Sequence, residues 1–374
     1  TAAWWRSVIA DFESRHPGVT VEFSNSPGSR HTDLLATRFA AGQPPDIVHM
    51  ISRSFVGFAA QGWFEEIDSC FTDDTLSHFG GLQSYMKWND QTQGLLLNSY
   101  GYHLFYNKGM LEAAGVAPPT NIDEFVAAVA AVDGLEADYV GFSGVTRAEA
   151  DAFLQASMFV TGEGIPWVSD GHYNLASPEM VAVMEKFRKI HAEAPQGMGE
   201  TERNELFFNG NAAMMLDGNY MWQQALDEAE PQVRDQVGMV LAPFANEPGS
   251  VSNSLHIPAG IDPEKRALVC DFIATAARPE FQQAYGEALS VPPPRDDATT
   301  EALMQRFPEQ IAIMIAGKEK AVSILPDNQQ VMQNYGLWAN LVANAVVEMF
   351  ATDRTTADIL ADLQTRLESE IPLQ

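Results

Sequence analysis

The stretch Glu205–Trp222, E-L-F-F-N-G-N-A-A-M-M-L-D-G-N-Y-M-W, decides how this chain is read. Asn209-Gly210 is a helix-stop pair, because asparagine and glycine tolerate the left-handed backbone that closes a last turn. Ala212–Leu216 then forms a short apolar run bounded by turn residues, which predicts a buried strand. Asp217-Gly218 predicts a turn that delivers Asn219, Tyr220 and Trp222 just past the strand end. Loops beyond strand ends are where open α/β sheets take ligands, so the two aromatics there are candidate recognition residues.

Working outward, short apolar or alternating runs recur at Val19–Phe23, Asp46–Ile51, Tyr102–Tyr106, Val140–Phe142, Val237–Leu241 and Leu255–Ile257. Amphipathic helical stretches lie between them. One follows Pro118-Pro119, with Thr120 as N-cap and Asp123 at the capping-box position, and ends near Gly134. Another begins at Ser177-Pro178 and turns Val183, Phe187 and Ile190 inward. The last starts at Thr355-Thr356 and buries Ile359, Leu363 and Leu367. Such alternation predicts an α/β protein whose helices cover largely parallel sheets.

A chain of 374 residues is too long for one ordinary core and suits two domains. Its 46% hydrophobic and 10% aromatic content supports real interiors. No apolar run reaches the roughly 20 residues of a membrane span, and no charged stretch followed by an apolar one opens the sequence, so any export signal is expected to have been removed. Acidic residues number 50 against 22 basic ones, a net charge of −28. They scatter along the chain, which fits a solvated surface in salty surroundings and disfavours nucleic acid or anionic lipid as a partner. Cys70 and Cys270 show no metal or redox spacing. Cys270 reads as a buried thiol within an apolar helical pattern, and a bridge to Cys70 stays open.

Several segments resemble, in order, the extracellular solute-binding proteins of family 1, the sugar-binding receptors of ABC importers. They are A-A-G-Q-P-P-D-I-V (Ala40–Val48), G-W-F-E-E-I-D (Gly62–Asp68), L-F-Y-N-K-G-M-L-E-A-A-G (Leu104–Gly115), the opening motif, and A-L-V-C-D-F-I-A-T-A-A-R-P-E-F-Q (Ala267–Gln282). The order of all five carries the likeness. It implies a two-lobe periplasmic-binding-protein fold of type II, each lobe a mainly parallel sheet flanked by helices, with a ligand cleft at a hinge. Lobe one would be residues 1–108 plus 253–312, and lobe two residues 109–252 plus 313–374. Crossings are expected near Asn107–Met110, Val251–Ser254 and Phe307–Ile315. Family members also open with an apolar strand ahead of the helix that here begins at Thr1, so the resemblance implies residues upstream of it.

A sugar presents flat C–H faces and a rim of hydroxyls, so its site needs aromatic platforms and hydrogen-bonding partners. By resemblance, Tyr220 and Trp338 hold the family's stacking positions. Trp222, and Tyr335 in Q-N-Y-G-L-W-A-N, are further aromatic candidates, against the alternative that all four pack in the core. Polar candidates at strand ends are Arg30, His31, Arg53, Arg147, Glu149, Asn219, Asn253 and Ser254, each equally readable as solvated surface. The aromatics favour a neutral mono- or oligosaccharide, whereas Arg30, Arg53 and Arg147 favour an acidic or phosphorylated one.

The expected protein is an exported, monomeric binding component in the periplasm or outside the cell, delivering a carbohydrate to a membrane permease without catalysis, metal or cofactor. A secreted carbohydrate-active enzyme is the competing class. It would need two carboxylates at defined separation, and no zinc-protease, nucleophile-elbow or nucleotide-loop motif is present. A binding protein that feeds a chemoreceptor is the third reading.

Overall fold

A computed structural model describes residues 2–24, 28–71, 74–135, 139–298 and 301–373, with the side chains of 28–30 and 150 left aside. The chain divides into two units. Unit one comprises Thr1–Tyr100 and Val251–Ala312, and unit two comprises Gly101–Ser250 and Ile313–Gln374. The first passage between them falls inside the strand Leu95–Asn107, not at the helix cap that follows it.

Unit one is built on helix Ala2–Arg15, which turns Trp4, Val8 and Phe12 inward at helical spacing. They pack with Leu95, Leu97, Leu255 and Ile257 and with Val269, Phe272 and Ile273 of helix Pro263–Ala277. Each large side chain buried in this way contributes about 1.5–3 kcal/mol. The buried Trp4 indole donates to the Phe281 carbonyl, 2.7 Å away, which satisfies its one polar atom. Strand Val48–Ile51 pairs antiparallel with the end of strand Glu247–His256.

Two sequence expectations change here. Val19–Phe23 forms no strand, because its backbone groups bond to the preceding helix instead of to a ladder. Val19 N–H donates to the His16 carbonyl and Val21 N–H to the Glu13 carboxylate, and Phe23 is 53% exposed. Cys270 is not a buried thiol: it forms a disulfide with Cys70, tying the short Asp68–Cys70 turn to helix Pro263–Ala277 across 200 residues of sequence.

Unit two centres on strand Ala212–Gly218, buried along its whole length. It pairs antiparallel with Tyr102–Tyr106 and parallel with Val140–Phe142. Val237–Leu241 joins the other side of the Leu95–Asn107 strand, antiparallel, and Ala321–Ser323 lies parallel to Glu247–Gly249. The sheets are therefore mixed rather than largely parallel. Leu95–Asn107 and Ala212–Gly218 run antiparallel although several helices and the strand Val140–Phe142 separate them in the chain, because that long connection re-enters the sheet at the end where it left. Helices Ile122–Asp133, Ala150–Gly162 and Pro178–Ile190 cover this framework with Phe125, Phe153, Phe159 and Phe187, all without exposed surface.

Caps at Ser177 and Thr355 sit where the sequence places them. The helix after Pro119 starts one residue later than expected. Asn121 is its N-cap, accepting from Glu124 N–H, and Glu124 rather than Asp123 reaches back to Thr120.

Candidate functional site

In unit two the opening motif folds as helix Glu200–Phe208, strand Ala212–Gly218 and helix Met221–Glu228. The first helix ends on Asn209, and Gly210 takes a φ of +76° that an L side chain rarely adopts. The strand then places Asp217 at its buried end, with 3% of its surface exposed. Asp217 forms an ion pair with the equally buried Arg203. Its other oxygen accepts from Gly218 N–H at 2.6 Å and from the Tyr220 hydroxyl at 2.5 Å. Arg203 also donates to the Leu216 carbonyl at 3.1 Å. Burial opposes the Arg203 charge most strongly, but Asp217, Tyr220 and Asp151 together outweigh it, and the guanidinium pKa rises.

Tyr220 is partly buried at the start of its helix, whereas Trp222 is buried within it. Asn219 is buried too, and its side-chain oxygen has no hydrogen-bond partner among the described residues. Trp338 departs from the expected platform, since it has no exposed surface. Its ring meets Phe153 edge-on at 4.4 Å and Trp167 at 5.2 Å, with Tyr335 against Phe153 at 5.9 Å. The indole N–H groups of Trp167 and Trp338 are buried without an acceptor among the described residues. A buried donor in that state costs about 1–3 kcal/mol until an acceptor is supplied.

Arg147 and Glu149 are occupied locally. Arg147 pairs with Glu149 at 3.0 Å and with Glu202 at 3.1 Å, and these partners raise its pKa, Glu202 the more. Glu149 accepts from Glu200 N–H at 2.8 Å, and Glu202 accepts from Gly199 N–H at 3.1 Å. The two carboxylates therefore take up the Gly199 and Glu200 N–H groups at the start of helix Glu200–Phe208. A side chain at Gly199 would begin 1.9 Å from the Arg147 guanidinium, so it would displace that side chain from its present pairs.

In unit one, His31 donates from Nε2 to the His49 carbonyl at 2.6 Å, and Arg53 lies half-buried in the turn Ser52–Ser54. The Arg30 side chain falls outside the described residues. Asn253 stands opposite Ile51 in the antiparallel ladder, and its amide donates to Ser252 Oγ at 3.0 Å. Ser254 is buried and its hydroxyl already has partners: it accepts from Ser52 Oγ at 3.0 Å and donates to His256 Nε2 at 2.7 Å. His256 Nδ1 donates to the Gln93 carbonyl at 2.6 Å, which fixes the tautomer. This serine–histidine pair has the geometry of a nucleophile and base, but neither residue is exposed and the imidazole packs against Phe55 and Phe64.

Burial holds four imidazoles neutral. His49 and His191 are pushed down to about 4, His103 and His256 to about 3, with the His31 charge a second cause at His49. Burial pushes the Glu247 carboxyl up to about 7. Among the described residues one trio, His78, Asp296 and Asp297, has donor atoms within 4.8 Å of one another. Arg295 holds both oxygens of Asp297, at 2.5 and 2.9 Å, which opposes a cation there. Surface depressions of unit two are lined by residues such as Asp133, Lys189 and Glu193 and include no residue of the expected site.

Asp217, Arg203 and Trp167 were not expected from the sequence. Asp217 reads there as a turn residue, and nothing local shows that Arg203 reaches it.

Relatives bear on both fold and family. A binding protein of Brucella abortus (strain 2308) is 25% identical over 239 residues, covering 61% of this chain; the chain spans 57% of that protein's length. The melibiose/raffinose/stachyose-binding protein MelE of Bacillus subtilis (strain 168) is 22% identical over 320 residues, covering 77% of this chain and 70% of MelE. The GacH receptor of Streptomyces glaucescens, solved unliganded and with acarbose, superposes with a TM-score of 0.83 at 18% identity, covering 99% of this chain and 95% of that one. That likeness shows the two-lobe α/β fold. No helix among the described residues is long and apolar enough to cross a membrane. With residues 7–312 matched by the family model, this chain belongs to the bacterial extracellular solute-binding proteins.

Proposed function

We propose that this protein is the substrate-binding component of an ABC-type importer, capturing a carbohydrate by hinge closure and passing it to a membrane permease. The observation that carries the reading is the chemistry gathered in unit two. Tyr220 offers a partly exposed ring, and buried Asn219, Trp167 and Trp338 have polar atoms still in need of partners. Rings for the apolar faces of a sugar and unmatched donors and acceptors for its hydroxyls are what such a ligand requires. Relatives named for melibiose, raffinose and stachyose, and for acarbose, support the same class.

Tyr220 is proposed as the main contact in unit two, with Asn219, Trp222, Tyr335 and the buried indole N–H of Trp338 as further candidates there, and Arg30, His31, Arg53 and Asn253 as the candidates of unit one. Arg147, Glu149 and Ser254 are weaker candidates, since each is committed to partners in its own unit. The Cys70–Cys270 bridge supports a periplasmic or extracellular location, where disulfides persist. We propose a monomer that performs no catalysis. Feeding a chemoreceptor in place of a permease would use the same bound form.

Thermal unfolding against melibiose, raffinose, maltose, a sugar acid and glycerol 3-phosphate tests the reading. A neutral sugar at a hundred times its Kd should add about 2.7 kcal/mol, a shift of a few degrees. The same sugar should be recovered unchanged after incubation. Conversion to product would make the protein an enzyme, and no shift with any neutral sugar would overturn the carbohydrate assignment.

A further inference from the structure

We infer that Asp217, held in place by Arg203, is a positioning residue that fixes the Tyr220 ring and makes its hydroxyl oxygen an acceptor toward the ligand; this rests on reading Tyr220 as a ligand-stacking aromatic. A tyrosine at the start of a helix has two side-chain torsions, and a bond at the far end of the ring restricts both. Here the tether is the bond from the Tyr220 hydroxyl to Asp217 Oδ1, 2.5 Å long.

The carboxylate that receives it is held from several directions. Asp217 stands opposite His103 in the antiparallel ladder, its oxygens are held by Gly218 N–H and Arg203, and Arg203 is anchored to the Leu216 carbonyl. The orientation of the ring is therefore passed from the sheet through a buried ion pair, neither member of which need touch the ligand.

The same chain sets polarity. Facing a guanidinium and a backbone N–H, both donors, the Asp217 carboxylate accepts hydrogen bonds on both oxygens. The Tyr220 proton must then point at Asp217, which leaves only lone pairs on the phenol oxygen for anything else. Such an oxygen welcomes a hydroxyl or an amine and disfavours phosphate or carboxylate oxygens, which bring no proton. At this position the geometry selects the neutral sugar over the anionic alternatives.

The test uses the intact protein labelled with 3-fluorotyrosine, with the Tyr220 resonance assigned by its loss in Tyr220→Phe. Tyr220 should give one narrow fluorine line in the parent and a broadened or displaced one in Asp217→Asn. An unchanged line overturns the tether, with or without any ligand. Calorimetry then follows with raffinose, melibiose and maltose, and with glycerol 3-phosphate as the anion. Tyr220→Phe and Asp217→Asn should each weaken the best neutral sugar about tenfold, as loss of one charge-assisted hydrogen bond does. The double variant should lose no more than the weaker single, because both break one chain. Losses that multiply would overturn the inference.

Tyr220→Phe removes one oxygen from a partly buried ring, so it carries the test even where Asp217→Asn does not fold. If Tyr220→Ala abolishes binding while Tyr220→Phe binds as the parent does, the platform stands and the positioning falls. If Tyr220→Ala binds normally, the ligand-stacking reading falls first.

Discussion

Unit one and unit two are held together differently. Described strand pairing in unit one comprises a four-residue ladder, Val48–Ile51 against Asn253–His256, the two-residue hairpin of Lys87–Trp88 with Gln91–Thr92, and a bridge between Phe64 and Pro258. Its helices meet through a core around Trp4 and Phe272, and a disulfide joins segments 200 residues apart. Unit two has its central strand paired on both sides, phenylalanines that meet edge to face, and a buried ion pair. Where the ladder is short, a covalent tie restricts the unfolded chain; where the ladder is long, the sheet can carry a buried charge pair as well.

Acid should strain both units at once, and this is the largest effect expected. His49 and His256 lie in unit one, His103 and His191 in unit two, and all have folded pKa values below the ordinary 6.5. The unfolded chain therefore binds more protons than the folded one below pH 6.5. Stability present above that value is lost as the pH falls toward 4, by about 3 kcal/mol for each histidine. Four such losses reach the ordinary margin of a folded protein, about 5–15 kcal/mol. Urea midpoints should fall steeply between pH 6 and 4, and a flat profile would contradict the buried, neutral imidazoles. Glu247 separates the units in the other direction. Its neutral form stabilises unit two below pH 4.5, and that contribution fades as the pH rises through about 7.

Breaking the ion pair comes next. Arg203→Ala leaves Asp217 buried without its counter-charge, which costs about 3–5 kcal/mol. Native-state hydrogen exchange should show the loss over peptides 200–222 and spare the helix Ala2–Arg15. Reducing the disulfide, or replacing Cys70 with Ser, should do the reverse. It frees a 200-residue loop in the unfolded chain and costs unit one about 2–4 kcal/mol, with unit two protected as before. Equal loss in both units after either change would erase the distinction drawn between them.

What the sequence could reveal follows the same division. Ala212–Leu216, Val140–Phe142 and Val237–Leu241 were legible as strands because an apolar run between turn residues is a local signal. Caps at Ser177 and Thr355 were legible for the same reason. Strand direction was not, since pairing depends on which remote segment lies alongside. Val19–Phe23 shows the limit: its composition suits a strand, yet its N–H groups bond to the helix before it. The bridge from Cys70 to Cys270 and the reach of Arg203 to Asp217 are likewise products of the fold. Tyr220 and Trp338 looked alike as aromatic candidates. Phe153 and Trp167, more than 170 residues before Trp338 in the chain, enclose one of them and not the other.

The smallest effect tests how finely a local signal can be read. Thr120 and Asn121 are both acceptable N-caps by residue type, and only one can hold the position. Asn121 accepts from Glu124 N–H at 3.0 Å, while Thr120 bonds through its own N–H and hydroxyl to the Glu124 carboxylate, which holds that carboxyl below its usual range. Asn121→Ala should therefore cost about 1 kcal/mol, and Thr120→Ala less, because the backbone half of the Thr120 bond survives. The loss should appear in exchange of the first turn of helix Ile122–Asp133 and leave unit one untouched. A larger loss from Thr120→Ala would restore the cap to the residue that the sequence first suggests, and would show that one position of register had been misplaced.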